Sequence, residues 1–397
     1  MAAWLRSSVL AFLLLALLQV PAEEPKVALL TFGPGGEFFE VFGHNALLVE
    51  VPGRTPIAID WGRFDLDAPG FTGRFVRDEM IYQAGAAPLP FVLDHYTFFD
   101  RDIVRHDLNL TPAETAALLA ALDDNLKPAN VNFRYDYYLA NCSTELRDRL
   151  NNATGGLLER SLKGEPAGTT LRVETARHAE RVPWMGLALH VGMGRPTDEP
   201  IDRWRQAFLP GELAAALADV RRDDGTPLLG PPQVLHAGGR PPVPAGAPGY
   251  ALPLLAFGLV IGGATTAFGV NRRTRYLGRA VGALWCLVAG VGACTLLFMW
   301  LFTGHDFANP NLAILWLGPT ALPLAALLIR PGRVAAYLAA ATLGLAVLAT
   351  LLLLVPQAWQ GNGSLALLTL PAHAGVLALT LRPAARSATP PTDTEPT

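Results

Sequence analysis

Three cysteines occur in the 397-residue chain, and one of them stands apart. Cys286 and Cys294 lie inside a long apolar segment, whereas Cys142 opens the polar segment CSTELRDRL directly after Asn141, a residue type favoured at helix N-caps. A thiol in the first turn of a helix feels unpaired backbone N–H groups and the positive end of the helix dipole. Both favour the thiolate and lower a pKa ordinarily near ~8.5. Cys142, Leu146 and Leu150 recur every four residues and share one inward face, while Glu145 and Arg149 are expected to pair on the solvent side. The chemistry indicated is attack by sulfur on a carbonyl, as cysteine hydrolases and acyltransferases perform it. The competing reading is an inert buried cysteine, because free cysteine is among the most buried residue types.

A thiolate needs a base, and His44, His95, His106, His178, His190 and His236 are available before the apolar half of the chain. His44 is selected because it follows Gly43 at the head of the strand-like run NALLVEV, where glycine marks a close approach of backbone. On a strand His44, Ala46 and Leu48 share one face and Asn45, Leu47 and Val49 the other, so the imidazole sits among small and apolar neighbours that favour a near-neutral pKa. The orienting group is expected to be Asp60, in the next strand-like run IAIDWG, with Asp136 and Asn141 as rivals. The backbone N–H groups of Cys142 and Ser143 are expected to form an oxyanion hole, and Asn141 and Ser143 to meet the substrate.

The surrounding chain must hold these groups outside the cytoplasm. A mean hydropathy of +0.29 with 16% charged residues is too apolar for one ordinary soluble domain. Residues 1–22 carry a lone Arg6, an apolar run and small residues at Val20 and Ala22, the pattern of a secretory signal. Residues 23–225 read as one globular domain exported to an oxidising compartment, in which Cys142 has no partner cysteine. Residues 226–249 are rich in Pro and Gly and read as a spacer, and residues 250–382 contain five uncharged apolar runs, near 250–270, 280–303, 311–329, 334–355 and 364–381. Arginines occupy the loops after the first, third and fifth runs and are absent from the other two, which puts the globular domain on the outer face. The outer loop GHDFANPN, with His305, Asp306, Asn309 and Asn311, is a candidate site for a lipid headgroup. His373, midway along the last run, is either functional or an interhelical hydrogen-bonding group. Residues 383–397 read as a polar disordered tail.

Within the globular part, KVALLTF, NALLVEV and TPIAIDW read as strands. Thr111-Pro112-Ala113-Glu114 is a capping box that opens a helix ending before Pro128. The order of strands followed by helices gives an α+β domain. The segments VFGHNALLVEV and FRYDYYLANCSTELRDRL resemble the GH and NC-x-T signatures of the Lnb-type periplasmic domain family, over most of residues 27–150. The resemblance implies an α+β permuted papain-like (NlpC-like) periplasmic domain followed by an all-α five-helix transmembrane domain, with Cys142 as nucleophile and His44 as base. It further implies a multi-pass protein of the bacterial cell membrane, its catalytic domain periplasmic, that moves an acyl chain from membrane phospholipid to a lipoprotein amine. A murein or peptide amidase using the same dyad and a non-catalytic envelope binding module are the alternatives. No cofactor is implied, since HExxH, CxxC, GxSxG and Walker patterns are missing from the sequence. The net charge of −3 and the lack of clustered Lys and Arg argue against nucleic acid.

Overall fold

The computed structural model describes residues 24–381, so the expected signal segment 1–22 and tail 383–397 lie outside the described residues. The chain divides into two compact units. Unit 1 is Met1–Val182 with Pro200–Ala245, and unit 2 is Pro183–Glu199 with Gly246–Thr397.

Unit 1 is built on a seven-stranded antiparallel sheet. Its strands are β1 (Lys26–Phe32), β2 (His44–Glu50), β3 (Ile57–Arg63), β4 (Ile81–Pro88), β5 (Ile103–Asp107), β6 (Asn132–Arg134) and β9 (Gln233–His236), in the order β6-β4-β3-β2-β1-β5-β9. β7 (Pro166–Thr170) and β8 (Pro200–Asp202) form a separate pair. The central strands look continuously apolar because both of their faces are covered. Alternation sends Val27, Leu29, Leu47, Val49, Ile59 and Trp61 to one core and Ala28, Leu30, Phe32, Ala46, Leu48 and Ala58 to another. The first core is completed by Leu118 and Leu122 of the Pro112–Asn125 helix, Leu146 and Leu150 of the Cys142–Ala153 helix, and Leu213 and Leu217 of the Pro210–Asp219 helix. The second is covered by Leu89, Val92, Leu93 and Tyr96 of the Leu89–Phe98 helix. These four helices are α1 (Leu89–Phe98), α2 (Pro112–Asn125), α3 (Cys142–Ala153) and α4 (Pro210–Asp219). The Thr111 capping box is present, with the Glu114 N–H donating to Thr111 Oγ1 at 3.2 Å and the Thr111 N–H to Glu114 Oε2 at 2.8 Å.

The expected spacer is partly structural. Leu228 and Leu229 are buried in the first core, the Gly230 N–H donates to the Asp107 carbonyl at 2.8 Å, and β9 pairs with β5. Four residues, QVLH, were enough to extend an open sheet edge, a pairing that composition does not disclose. Residues 183–199, expected within the globular domain, belong instead to unit 2. There the Asn311 amide donates to the carbonyls of Val191 at 2.8 Å and Gly192 at 3.1 Å.

Unit 2 is helical. Ala251–Val270, Arg275–Phe302 and Arg333–Leu352 are long and apolar enough to cross a membrane. The third apolar run of the sequence is broken at Gly318, whose φ of +71° ends Ala313–Leu317 before Ala321–Leu327 begins, and the fifth forms the shorter Leu365–Thr380. Small residues let helices touch backbone to backbone: a Cβ at Gly262 would lie 2.2 Å from the Pro371 carbonyl oxygen. His373 is interhelical, with Nε2 3.0 Å from the Trp316 carbonyl oxygen and Nδ1 accepting from Trp285 Nε1 at 3.2 Å.

Leu146 fixes α3 against the sheet and is fully buried. Leu146→Ala is expected to destabilise unit 1 by ~2–5 kcal/mol, read as a lowered midpoint of its denaturant transition, because the cavity left cannot fully collapse.

Candidate active site

The site forms where the start of α3 meets the ends of β2 and β3. Gly43 has a φ of +84°, and a Cβ there would lie 2.8 Å from the Phe32 carbonyl oxygen, so only glycine lets β2 begin at His44 beside β1. His44 Nε2 is 3.2 Å from Asp60 Oδ2. Asp60 stands opposite Ala46 in the β2–β3 register, two residues along from His44, which is how a neighbouring strand delivers the carboxylate. Its other oxygen accepts from Arg63 Nε at 2.6 Å. Nε2 is engaged by Asp60, and the imidazole and the Cys142 sulfur lie close enough for each to shift the ionisation of the other. The two rivals for the orienting role are occupied elsewhere. Asp136 Oδ1 accepts the N–H groups of Tyr138 and Leu139, both at 2.8 Å, and closes a turn.

Asn141 is the N-cap of α3. Its Oδ1 accepts the N–H groups of Ser143 at 2.8 Å and Thr144 at 3.0 Å, while Thr144 Oγ1 accepts the Asn141 N–H at 2.8 Å. Its amide donates to the carbonyls of Tyr137 at 2.9 Å and Phe208 at 3.0 Å. Every polar atom of this buried side chain is therefore engaged within the fold, which corrects the expectation that Asn141 meets substrate. Ser143 is likewise fully buried, its Oγ accepting from Asn45 Nδ2 at 3.3 Å. The cap takes the Ser143 N–H, one of the two donors expected in the oxyanion hole. The Glu145–Arg149 pair, expected in solvent, forms at 2.7 Å with its guanidinium 4.8 Å from the centre of the Trp61 ring.

The electrostatics follow from this packing. Burial opposes a charge on His44, but the Tyr96 phenol oxygen, the Cys142 sulfur and the Asp60 carboxylate outweigh it and hold the imidazole well above its ordinary pKa. Burial likewise opposes the Cys142 thiolate, yet the charge and hydrogen bond of His44, the Asn45 N–H and the Ser143 hydroxyl bring the thiol below its ordinary value. For Asp60, burial is overcome by His44 and Arg63, and its carboxyl is held down. The shifts of both groups run toward a thiolate beside an imidazolium.

Two tyrosines belong to this site although no sequence signal singled them out. Tyr96 of α1 lies face to face with Phe32 at 3.7 Å between ring centres and near-parallel to His44 at 6.4 Å. Tyr135 borders Gly62, where a Cβ would lie 3.8 Å from its ring and 4.0 Å from Cys142 Cβ. Burial raises both phenols, so they stay protonated. The aromatic run around Tyr135 was visible in the sequence, but Tyr96 is 46 residues from Cys142 and only sheet topology brings it near.

The polar loop residues expected to bind a headgroup belong to unit 2. Asn311 is buried, committed through its amide to Val191 and Gly192 and through Oδ1 to the Ala313 N–H at 2.9 Å and Asn362 at 3.2 Å, so it clamps the loop. His305 caps the short turn Asp306–Ala308, Asp306 is exposed, and Asn309 Oδ1 is buried without a hydrogen-bond partner.

The fold and this geometry describe a mixed α/β domain with a strand-borne histidine facing a helix-borne cysteine, followed by a helical region of several apolar helices. The chain matches the Lnb N-terminal periplasmic domain over residues 15–177 and the Lnb transmembrane domain over residues 248–382. It therefore has the Lnb-type architecture, a multi-pass membrane protein with a periplasmic domain. No curated protein and no solved structure matches the chain.

The sign of the pH dependence is fixed by the two shifts. Lowering the thiol and raising the imidazole both favour the ion pair, which is lost when acid protonates the thiolate or alkali deprotonates the imidazolium. Alkylation of Cys142 by iodoacetamide, followed on its own peptide by mass spectrometry, is expected to proceed below the ordinary thiol range. In His44→Ala the profile should move up, because the largest influence that opposes burial at the thiol is removed.

Proposed function

We propose that this protein is a membrane-anchored thiol acyltransferase that moves an acyl chain from a phospholipid to the amine of a lipidated protein. The observation that carries the reading is the half-buried Cys142–His44–Asp60 constellation within an Lnb periplasmic domain. The arrangement reads as a permuted papain-like centre, with the histidine preceding the cysteine in the chain.

In the first half-reaction the Cys142 thiolate attacks the ester carbonyl of the donor. The acyl C–O bond breaks, the glycerol oxygen takes the proton held by the His44 imidazolium, and a Cys142 thioester remains. In the second, the acceptor amine attacks the thioester carbonyl, an amide forms, the C–S bond breaks, and His44 takes the proton the amine loses. Asp60 keeps the imidazole in the orientation that serves both steps, and Arg63 holds Asp60. The Cys142 N–H and the phenols of Tyr96 and Tyr135 are the candidate donors to the developing oxyanion.

An acyl substrate is favoured over a murein peptide by the surroundings of the thiol. Half-exposed Phe39 meets Phe64 edge to face at 5.6 Å, Phe64 stacks on Tyr82 at 4.9 Å, and Tyr82 meets Tyr135 at 4.3 Å. This aromatic track runs from the surface of unit 1 to the neighbourhood of Cys142 and suits an alkyl chain.

Cys142→Ser is expected to abolish acyl transfer, and His44→Ala to reduce it about 10²–10⁴-fold, in cells lacking other enzymes of this activity. Mass spectrometry of lipoprotein N-termini reads the result. Unchanged N-acylation in Cys142→Ser would overturn the proposal, and soluble murein fragments released without lipid would support the amidase instead.

A further inference from the structure

Beside Tyr96, unit 1 buries an excess of guanidinium donors. Arg101 is 3% exposed. Its Nε donates to the Gly33 carbonyl at 2.8 Å, its Nη1 to Glu40 Oε1 at 3.2 Å, and its guanidinium lies 4.6 Å from the centre of the Tyr96 ring. Its Nη2 is buried with no acceptor. Arg240 donates to the Phe99 carbonyl at 3.1 Å and passes over Gly36, where a Cβ would lie 3.4 Å from both of its terminal nitrogens. Its Nε is buried and unpartnered, and so is the Nε of Arg181, whose one bond goes to the Pro241 carbonyl.

Three unsatisfied guanidinium donors in one region are costly, since a buried donor without an acceptor keeps its full desolvation penalty. The charges also oppose one another. Arg101 is lowered by burial and then by Arg240, and Arg181 by burial and then by Arg240. The carboxylates nearby do not resolve this. Glu40 serves only Nη1 of Arg101, Asp102 accepts the Gly238 N–H at 2.8 Å, and Asp100 accepts the Gly239 N–H at 3.1 Å. Orphan donors of this kind call for an oxyanion with several acceptor oxygens, which phosphate supplies and guanidinium forks match.

We infer that Arg101, Arg181 and Arg240 form an anion site that takes the phosphate of the acyl donor's headgroup. The phosphate site stands on the unpartnered donors, and its assignment to the donor rests on the acyl-transfer reading. Arg101 and His44 both pack against Tyr96, and in a glycerophospholipid the phosphate is only a few bonds from the scissile ester. A headgroup bound by the arginines therefore leaves its ester beside the dyad, where orientation contributes to rate.

The test uses the full-length protein in an uncharged detergent, with thermal unfolding followed against inorganic phosphate, short-chain phosphatidylglycerol and short-chain diacylglycerol. Phosphate and phosphatidylglycerol are expected to raise the unfolding midpoint and diacylglycerol to leave it unchanged. Arg181→Gln and Arg240→Gln, at half-exposed positions less critical for folding than Arg101, should each weaken both responses about tenfold or more. No response in the wild type, or equal responses in the variants, overturns the site. Arginine-dependent binding of phosphate without binding of phosphatidylglycerol overturns the headgroup assignment and leaves a free-phosphate site. Cys142→Ser should bind as the wild type does, so a failure of acyl-transfer chemistry appears in N-acylation and not in this titration.

Discussion

A thiolate cannot be kept in a buried place without a cation in contact with it, and much of unit 1 is arranged around that requirement. Burial pushes Cys142 toward the neutral thiol and His44 toward the neutral imidazole, so the ion pair exists only because each stabilises the other and third parties stabilise both. Asp60 braces the imidazolium, Arg63 braces Asp60, and the Asn45 N–H meets the sulfur. Every one of these groups is delivered by β2 or β3. The register between those two strands is accordingly a chemical constraint as much as a structural one: a slip of one strand by one residue would put His44 and Asp60 on opposite faces of the sheet.

Helix α3 meets the same requirement from the other side. Asn141 engages the first turn with its carbonyl oxygen and ties the turn to Tyr137 and Phe208 with its amide, so the cap fixes the sulfur in position as well as ending the helix cleanly. That rigidity limits the oxyanion hole, because the Ser143 N–H serves the cap. Two protonated phenols lie near the dyad, Tyr96 on a helix 46 residues before Cys142 and Tyr135 in the segment just before it. Beyond Tyr96 the arginines add positive charge, so the site grades from an apolar aromatic track through a nucleophile to a region rich in cationic donors. That sequence of environments parallels the chemistry of an amphiphile.

The parts legible from sequence were those governed by local rules. The capping box at Thr111, the Asn141 N-cap, the strand character of the runs around Leu29 and Leu47 and the inward face of Leu146 and Leu150 all depend on residues within a few positions of one another. The spacer failed as a reading because QVLH is too short to carry a periodic signal and pairs with a strand about 130 residues earlier. The segment 183–199 failed for a related reason: an apolar decapeptide looks alike whether it packs in one unit or another, and the deciding clamp is the distant Asn311 amide.

The sequence by itself determined that this protein is exported, spans the membrane with apolar helices and carries one cysteine outside them at a helix start. Those properties follow from composition, charge asymmetry and cap chemistry, which are additive along the chain. The tertiary structure alone decided that Asp60 rather than Asp136 or Asn141 touches His44, that the Asn141 side chain is hydrogen-bonded within the fold, and that Tyr96 stacks near His44 with Arg101 over its ring. Those outcomes depend on which strands become neighbours and in what register, and the free energy that selects a register is spread over two whole cores and written in no single motif.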